Sequence, residues 1–127
     1  MRGAKVETFA GIFSVVAVAG LAACATNPAE LRIEPASVAR QLGVPQCRVS
    51  VPLSREEVFR QAQRDGIPDP ETRQDWRDVV AQIQPGDQLR VVNCARMGSH
   101  GVAVGDYYCA LFRGDKTVAR LYEIIVD

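Results

Sequence analysis

The sequence predicts a small α+β domain in which two helices are followed by a three-stranded antiparallel meander. A helix-capping pattern opens residues 54–65, and apolar side chains at helical spacing continue through residues 76–83. Three strand-like runs then follow a Pro-Gly pair at positions 85 and 86. Because each helix has one apolar side, both helices are expected to pack on the same face of the sheet.

The first predicted helix begins after Ser54. Ser54 and Glu57 have the spacing of a capping box, in which each side chain accepts a hydrogen bond from the backbone N–H of the other residue. Gly66 can adopt the left-handed conformation that ends many helices, and Pro68 prevents the helix from continuing. The helix is therefore expected to end near residue 64 or 65, with a buried side formed by Val58, Phe59 and Ala62.

The second predicted helix begins with Asp69 as its N-cap and Pro70 in its first turn. Its apolar stripe has the i, i+3, i+4, i+7 spacing of one helix face and consists of Trp76, Val79, Val80 and Ile83. Pro85 and Gly86 suit the centre of a type II turn, so the helix is expected to end before them.

Three strands are predicted after this turn, over residues 88–96, 104–112 and 117–126, with a tight turn joining the last two. In the last strand both alternating sets of side chains are largely apolar, and Leu121 and Tyr122 are expected on opposite faces. This pattern predicts a strand that is covered on both sides or a sheet face that meets a partner.

Residues 44–53, which precede the first helix, contain apolar side chains in alternation. Pro45 and Pro52 restrict this segment to a short edge strand or an extended arm. The side chains expected on one side of the segment are Cys47, Val49 and Val51.

The first 24 residues have the order of a bacterial export signal. Arg2 and Lys5 precede an apolar run over 9–21, which is shorter than the roughly 20 residues that a membrane-spanning helix needs. The run ends in Leu21-Ala22-Ala23-Cys24, which resembles the lipobox of a bacterial lipoprotein. The resemblance implies that residues 1–23 are a signal peptide that is removed and that the thiol of Cys24 carries lipid. An ordinary secretory signal and an uncleaved anchor helix are the alternatives.

The same resemblance implies where the protein resides. Ala25 follows the cysteine, where an aspartate would resemble the inner-membrane retention signal of enteric bacteria. In a Gram-negative host the expected location is therefore the outer membrane, facing the periplasm, rather than the inner membrane. Residues 24–43 are expected to form the lipidated N-terminus and a polar tether, and residues 44–127 the globular domain.

Composition excludes several classes of partner. The chain has 15 basic and 15 acidic residues, and removal of the signal would leave it close to neutral. No strong positive field therefore favours binding to nucleic acid or to an anionic lipid surface. No metal or cofactor is expected, because the chain has no C-x-x-C pair and His100 is its single histidine.

Three cysteines remain after Cys24, and an exported domain can keep a disulfide. A hairpin that is symmetric about position 101.5 would place Cys94 directly opposite Cys109, near the separation that a disulfide requires. The sequence thus favours a Cys94–Cys109 disulfide. The alternatives are Cys47–Cys94, Cys47–Cys109 and three packed thiols.

The segment 97–105, with sequence MGSHGVAVG, is the best candidate for an interaction loop, because glycine-rich exposed loops can present binding groups. Its candidate contact residues are Met97, Ser99, His100 and Val102. Ser99 and His100 could suggest a nucleophile and a base, but adjacent residues rarely give that geometry and no third orienting group is evident. No catalytic residue is therefore predicted.

The helix–helix–meander order over residues 54–126 resembles the small accessory lipoproteins of the outer-membrane β-barrel assembly machinery, the SmpA/OmlA type. The helix start at 54–58, followed by Gly66 and Pro68, is similar to the first helix of that family. Trp76 departs from the pattern, because it lies in a predicted helix, whereas the family would have aromatic residues at the start of the first strand. No functional residue is carried over.

The predicted function is that of a non-enzymatic accessory or interaction protein of a cell-envelope complex, anchored to a membrane through lipid on Cys24. Its expected partner is another envelope protein. The alternative is a periplasm-facing module that binds peptidoglycan or a small ligand. Such a module should bring several Asp, Arg or Asn groups together in a polar pocket.

Overall fold

The computed structural model describes residues 31–126. The predicted signal peptide over 1–23 and the predicted lipidation site at Cys24 lie outside the described residues. Both therefore stay predictions.

The described residues form a small α+β domain with three α-helices and a five-stranded antiparallel sheet, so the predicted fold class is confirmed. In chain order the elements are α1 (Ala36–Gln41), β1 (Arg48–Val49), α2 (Arg55–Arg64), a 3-10 helix (Pro70–Thr72), α3 (Gln74–Val80), β2 (Gln88–Asn93), β3 (Arg96–Met97), β4 (Ala103–Arg113) and β5 (Lys116–Val126). The predicted count of two helices and three strands was incomplete, because it did not include α1 or the short edge strand expected within 44–53, which is β1, and because the first long strand is divided into β2 and β3.

Strand β4 is the centre of the sheet. β2 and β3 pair one after the other with the same side of β4, and β5 pairs with its other side. β1 then adds to the outer side of β2. The meander expected from the sequence is therefore present, with β1 as an additional edge strand.

A local hydrogen bond interrupts the first predicted strand between β2 and β3. The Asn93 side-chain oxygen accepts a hydrogen bond from the backbone N–H of Ala95 at 3.0 Å, which turns the chain. Gly105 lies against this interruption with φ +135°, and a Cβ atom there would stand 2.6 Å from the carbonyl oxygen of Cys94. Glycine is therefore required at this position for β4 to approach the interrupted strand.

Both faces of the sheet are covered. α2 and α3 pack on one face, as expected, and this core contains Val58, Ala62, Trp76, Val79, Leu89, Cys109, Leu111, Leu121 and Tyr122. α1 lies at the opposite face, where a second core contains Ala39, Leu42, Cys47, Val49, Val92, Tyr108, Ala110 and Phe112. Successive residues of β4 therefore enter the two cores in alternation.

The N-terminal part of the domain begins before the predicted boundary at residue 44. The compact unit extends over Leu31–Asp127. Ile33 lies opposite Ser50, and the Glu34 N–H donates to the Val49 carbonyl at 2.8 Å. Much of the segment predicted as a tether is thus packed against the sheet, because α1 has a buried side that covers the second core.

The start of α2 confirms the capping box. The Glu57 N–H donates to Ser54 Oγ at 3.1 Å, and the Ser54 N–H donates to Glu57 Oε1 at 2.8 Å. Gly86 has φ +90° and the Asp87 N–H donates to the Gln84 carbonyl at 3.0 Å, as expected for a turn centred on positions 85 and 86.

The predicted N-cap role of Asp69 is wrong. Asp69 has φ 45° and its side chain makes no capping hydrogen bond, so the chain forms only the short 3-10 helix before α3. Arg73 is extended and α3 begins at Gln74. The Asp75 carboxylate accepts a hydrogen bond from the Trp76 N–H at 3.0 Å in the first turn of this helix.

A bulge in β5 explains why both alternating sets of side chains in that strand are apolar. The pairing between β4 and β5 shifts between Tyr107 and Cys109, and Tyr122 at this shift has φ 55°. Because the bulge adds a residue, Leu121 and Tyr122 both enter the core beneath α2 and α3 instead of facing opposite ways. The Tyr122 N–H donates to Asp75 Oδ2 at 2.8 Å, and its hydroxyl donates to the Pro70 carbonyl at 2.6 Å.

Candidate functional site

The disulfide joins Cys47 to Cys94, with 4.2 Å between the two Cα atoms. In the ladder between β1 and β2, Arg48 lies opposite Asn93, so the next opposite positions are those of the two cysteines. Directly opposite residues of an antiparallel pair are close enough for such a bond. The bond attaches the N-terminal part of the domain, including α1, to the sheet.

The predicted Cys94–Cys109 pairing is therefore wrong. β3 and β4 pair symmetrically about His100 rather than about position 101.5, since Arg96 lies opposite Val104. In this register Cys109 lies opposite Val91, on β2. The Cys94 N–H donates to the carbonyl of Asp106 at 2.8 Å, so the two cysteines are displaced along the ladder.

Cys109 is a free thiol in the core beneath α2 and is 4% exposed. Burial raises the pKa of this thiol to about 12. A thiol must lose its proton to act as a nucleophile, so burial makes this side chain unreactive at neutral pH.

We expect Cys109 to resist alkylation in the folded protein. In the Cys24→Ser variant it is the single unpaired thiol, and at neutral pH it should react on the order of a hundredfold more slowly than after unfolding in denaturant. Thiol counting with and without denaturant measures this ratio. Rapid labelling of the native variant would show that the thiol is accessible and contradict the structure.

The four predicted contact residues lie together at the end of the β3–β4 hairpin. The Gly98 N–H donates to the Val102 carbonyl at 2.7 Å, and the Gly101 N–H donates to the Gly98 carbonyl at 3.1 Å, which closes the turn. Ser99 and His100 are exposed at the tip. Met97 and Val102 flank the turn and are 69% and 54% exposed.

These two exposed apolar side chains distinguish the hairpin from an ordinary polar turn. Ile125, on β5 opposite Asp106, lies toward the same end of the sheet and is 71% exposed. The sequence did not identify Ile125, because its position in an apolar strand was compatible with burial. Exposed apolar side chains concentrated at one end of a domain indicate an interaction surface.

A second candidate site lies at the opposite end of the sheet, around Arg90. This side chain is 8% exposed although it is charged. Its Nη1 donates to Glu34 Oε2 at 2.8 Å and to the Ser50 carbonyl at 3.0 Å, and its Nη2 donates to Gln88 Oε1 at 3.0 Å. Its Nε is buried and has no hydrogen-bond partner among residues 31–126. Sequence reasoning missed this residue, because nothing in a strand pattern shows that an arginine is buried.

Arg90 also lines an open pocket of about 390 Å³ between α1 and the β4–β5 turn. Val38 and Leu42 give the pocket apolar walls, while Gln41 and Asp115 provide polar groups. Asp115 is thus available to a basic group of a small ligand, whereas the guanidinium of Arg90 already donates to Glu34, to Gln88 and to the Ser50 carbonyl. Gly114 completes the lining.

The residues that the structure describes contain neither a metal-binding cluster nor a carboxylate beside Ser99 or His100. Within residues 31–126, no three His, Cys, Asp or Glu side chains come close enough to hold a metal ion. In the same part of the chain, neither Ser99 nor His100 has a carboxylate that would orient it for nucleophilic catalysis.

None of the helices in the described part of the chain has the length and apolar character that crossing a bilayer requires.

Comparisons with known protein families, with characterised proteins and with solved structures find no match to this chain.

Proposed function

We propose that the protein is a lipid-anchored protein of the bacterial cell envelope that binds another envelope component and catalyses no reaction. The observation that carries this proposal is the lipobox-like sequence ending at Cys24, only a few residues before a disulfide-bonded domain begins at Leu31. Structural disulfides are typical of exported proteins and rare in the bacterial cytosol. Two or more acyl chains on Cys24 would hold the domain stably at a membrane.

The test of the anchor is the Cys24→Ser variant. We expect it to leave the membrane fraction and to lose labelling by a clickable fatty acid, because the acyl chains require the thiol. The matched control is Ala25→Ser, which keeps the cysteine and should remain membrane-bound and labelled. Recovery of Cys24→Ser in the membrane fraction with its first 23 residues still attached would instead identify an anchor helix.

The proposed location is the periplasmic face of the outer membrane. In an enteric host we expect Ala25→Asp to move the lipidated protein from the outer to the inner membrane, because it recreates the retention signal that the natural sequence lacks. Density-gradient separation of the two membranes measures the change. An unchanged distribution for Ala25→Asp, or a natural protein already in the inner membrane, would contradict the proposed location.

The second candidate function is a periplasm-facing module that binds peptidoglycan or a small ligand. The pocket beside α1 favours it, because the Asp115 carboxylate in its lining could pair with an ammonium group of a peptide stem. Sedimentation of the mature protein with purified peptidoglycan tests it. Binding that is weakened by Asp115→Asn and unaffected by Val102→Asp would favour this module over a hairpin-mediated accessory.

A further inference from the structure

The β3–β4 hairpin projects beyond its neighbours in the described part of the chain. The last described pair between β4 and β5 joins Gly105 to Val126. Beyond Gly105, β3 is the one described strand that pairs with β4, through Ala103 and Val104. The end of the hairpin is therefore a convex tip, and its exposed apolar side chains stand clear of the rest of the sheet.

The chain enters the domain toward the other end of the sheet. Ile33 lies opposite Ser50, whose N–H donates to the Val91 carbonyl. Because Val91 lies opposite Cys109, Ile33 is level with Cys109 across the sheet. Ala103 at the hairpin is about 20 Å further along β4, at about 3.4 Å per residue. Arg32 lies further from the hairpin than Ile33 does, because its carbonyl accepts a hydrogen bond from the Val51 N–H.

The number of residues before Leu31 limits how far the domain can stand from an anchored Cys24. Residues 25–30 link the two positions, and even a fully extended chain would span only about 25 Å. This step rests on the proposed lipid anchor. The end of the sheet near Leu31 would therefore stay close to the bilayer, and these linking residues would be committed to that connection and could not cover the hairpin.

The shape of the tip argues against a second copy of this chain as its partner. A stable interface buries about 800 Å² on each side, whereas two convex tips meeting head to head would bury little more than Met97 and Val102. A protruding apolar tip is complementary to a groove. Met97 lies opposite Ala103 and Gly98 lies opposite Val102, so Met97 and Val102 are on opposite faces of the hairpin, and each would contact one wall of the groove.

The charge of the hairpin indicates which charge the rim of that groove should carry. Residues 95–105 contain Arg96 and no aspartate or glutamate. Arg96 is exposed and has no ion-pair partner among the described residues. An acidic group beside an apolar groove would complement this pattern and would orient the hairpin as it enters.

We infer that the β3–β4 hairpin inserts into an apolar, acid-rimmed groove of a different envelope protein, at the end of the domain that points away from the anchoring membrane. This inference deepens the proposed function and rests on it. Met97 and Val102 fill the groove, and Arg96 pairs with the acidic rim.

The test places a photo-crosslinking amino acid at position 102 of the full-length protein in its host cells. The matched control places it at Lys116, which is exposed at the start of β5, at the other end of the sheet. We expect irradiation to join position 102, and not position 116, to one envelope protein whose crosslinked peptide lines an apolar groove. Met97→Asp should lower the crosslinking yield from position 102 at least tenfold. Arg96→Glu should also lower that yield, and changing an acidic residue of the groove to arginine should restore it.

Four results would overturn the inference. They are a crosslinked product of twice the chain mass, a lipid adduct, equal capture from positions 102 and 116, and no adduct at all. Fatty-acid labelling of the same crosslinker-bearing protein separates the two proposals. A labelled protein without the expected adduct means that the docking inference fails while the anchor stands, and an unlabelled protein means that the anchor itself fails. A retained disulfide and an unchanged melting temperature show that Met97→Asp still folds.

Discussion

Replacing both Cys47 and Cys94 by alanine is expected to lower the free energy of unfolding by about 4 kcal/mol. The disulfide closes a segment with a sequence separation of 47, and losing a constraint of that length increases the entropy of the unfolded chain. β1 has only two residues, so few backbone hydrogen bonds hold this part of the domain without the bond. Denaturant titration of the oxidised protein and of the double variant measures the difference.

Reduction provides the internal control for this prediction. The reduced natural protein should unfold at the same denaturant concentration as the double variant, and reductant should not change the double variant. Cys109→Ala should keep the full response to reductant, because that thiol is unpaired. If Cys109→Ala abolished the response, the disulfide would include Cys109 and the structural assignment would be wrong.

Asp75→Ala is expected to destabilise the domain by about 3 kcal/mol, because buried donors that lose their acceptor cost about 1–3 kcal/mol each. Asp75 accepts hydrogen bonds from the backbone N–H groups of Tyr122 and Trp76, at 2.8 and 3.0 Å. The first of these supports the left-handed backbone of Tyr122, which is a strained conformation for an aromatic residue. Thermal and denaturant unfolding measure the loss.

The control for this variant is Asp78→Ala on the same helix. Asp78 is exposed and its carboxylate accepts a hydrogen bond from Gln74, so the change in stability should be within about 0.5 kcal/mol. Equal effects of the two substitutions would show that Asp75 does not support the bulge. Asp75→Asn keeps one acceptor oxygen and should be intermediate.

The contribution of Asp75 should depend on pH in a defined direction. Burial opposes ionisation, but hydrogen bonds from Tyr122, Arg73 and Trp76 together hold the pKa of Asp75 below its ordinary value. Because the pKa is lower in the folded state, the stabilisation is fully present above the unfolded-state pKa of about 4. It is lost as pH falls through the folded-state pKa, so the difference between the natural protein and Asp75→Asn should shrink there.

Features encoded by local chemistry could be predicted from the sequence. The capping box of Ser54 and Glu57 is formed within one helical turn, and the turn at Gly86 depends on one residue that tolerates a positive φ. The exposure of the β3–β4 turn followed from its glycines and polar residues. In each case the residues that determine the structure are neighbours in the chain.

Features that depend on distant contacts could not be predicted in the same way. The glycine-rich hairpin allowed more than one register, and a small error in its centre was enough to pair Cys94 with the wrong cysteine. The segment leading into α1 looked like a tether because it is polar and contains Pro35. The segment packs on the domain because the sheet has a second apolar face, which Leu42 helps to cover, and the sequence pattern did not show that face.

The position of the disulfide also determines how the domain would carry mechanical force. Tension applied through an anchored N-terminus would reach the folded domain at Leu31 and would first separate the pairing around Ile33 and then α1. Peeling would stop at Cys47, because its covalent bond transfers the load to Cys94 beside the central strand. The bond thus acts as a mechanical stop, and a pull from the membrane would leave β2, β4 and the projecting hairpin in place.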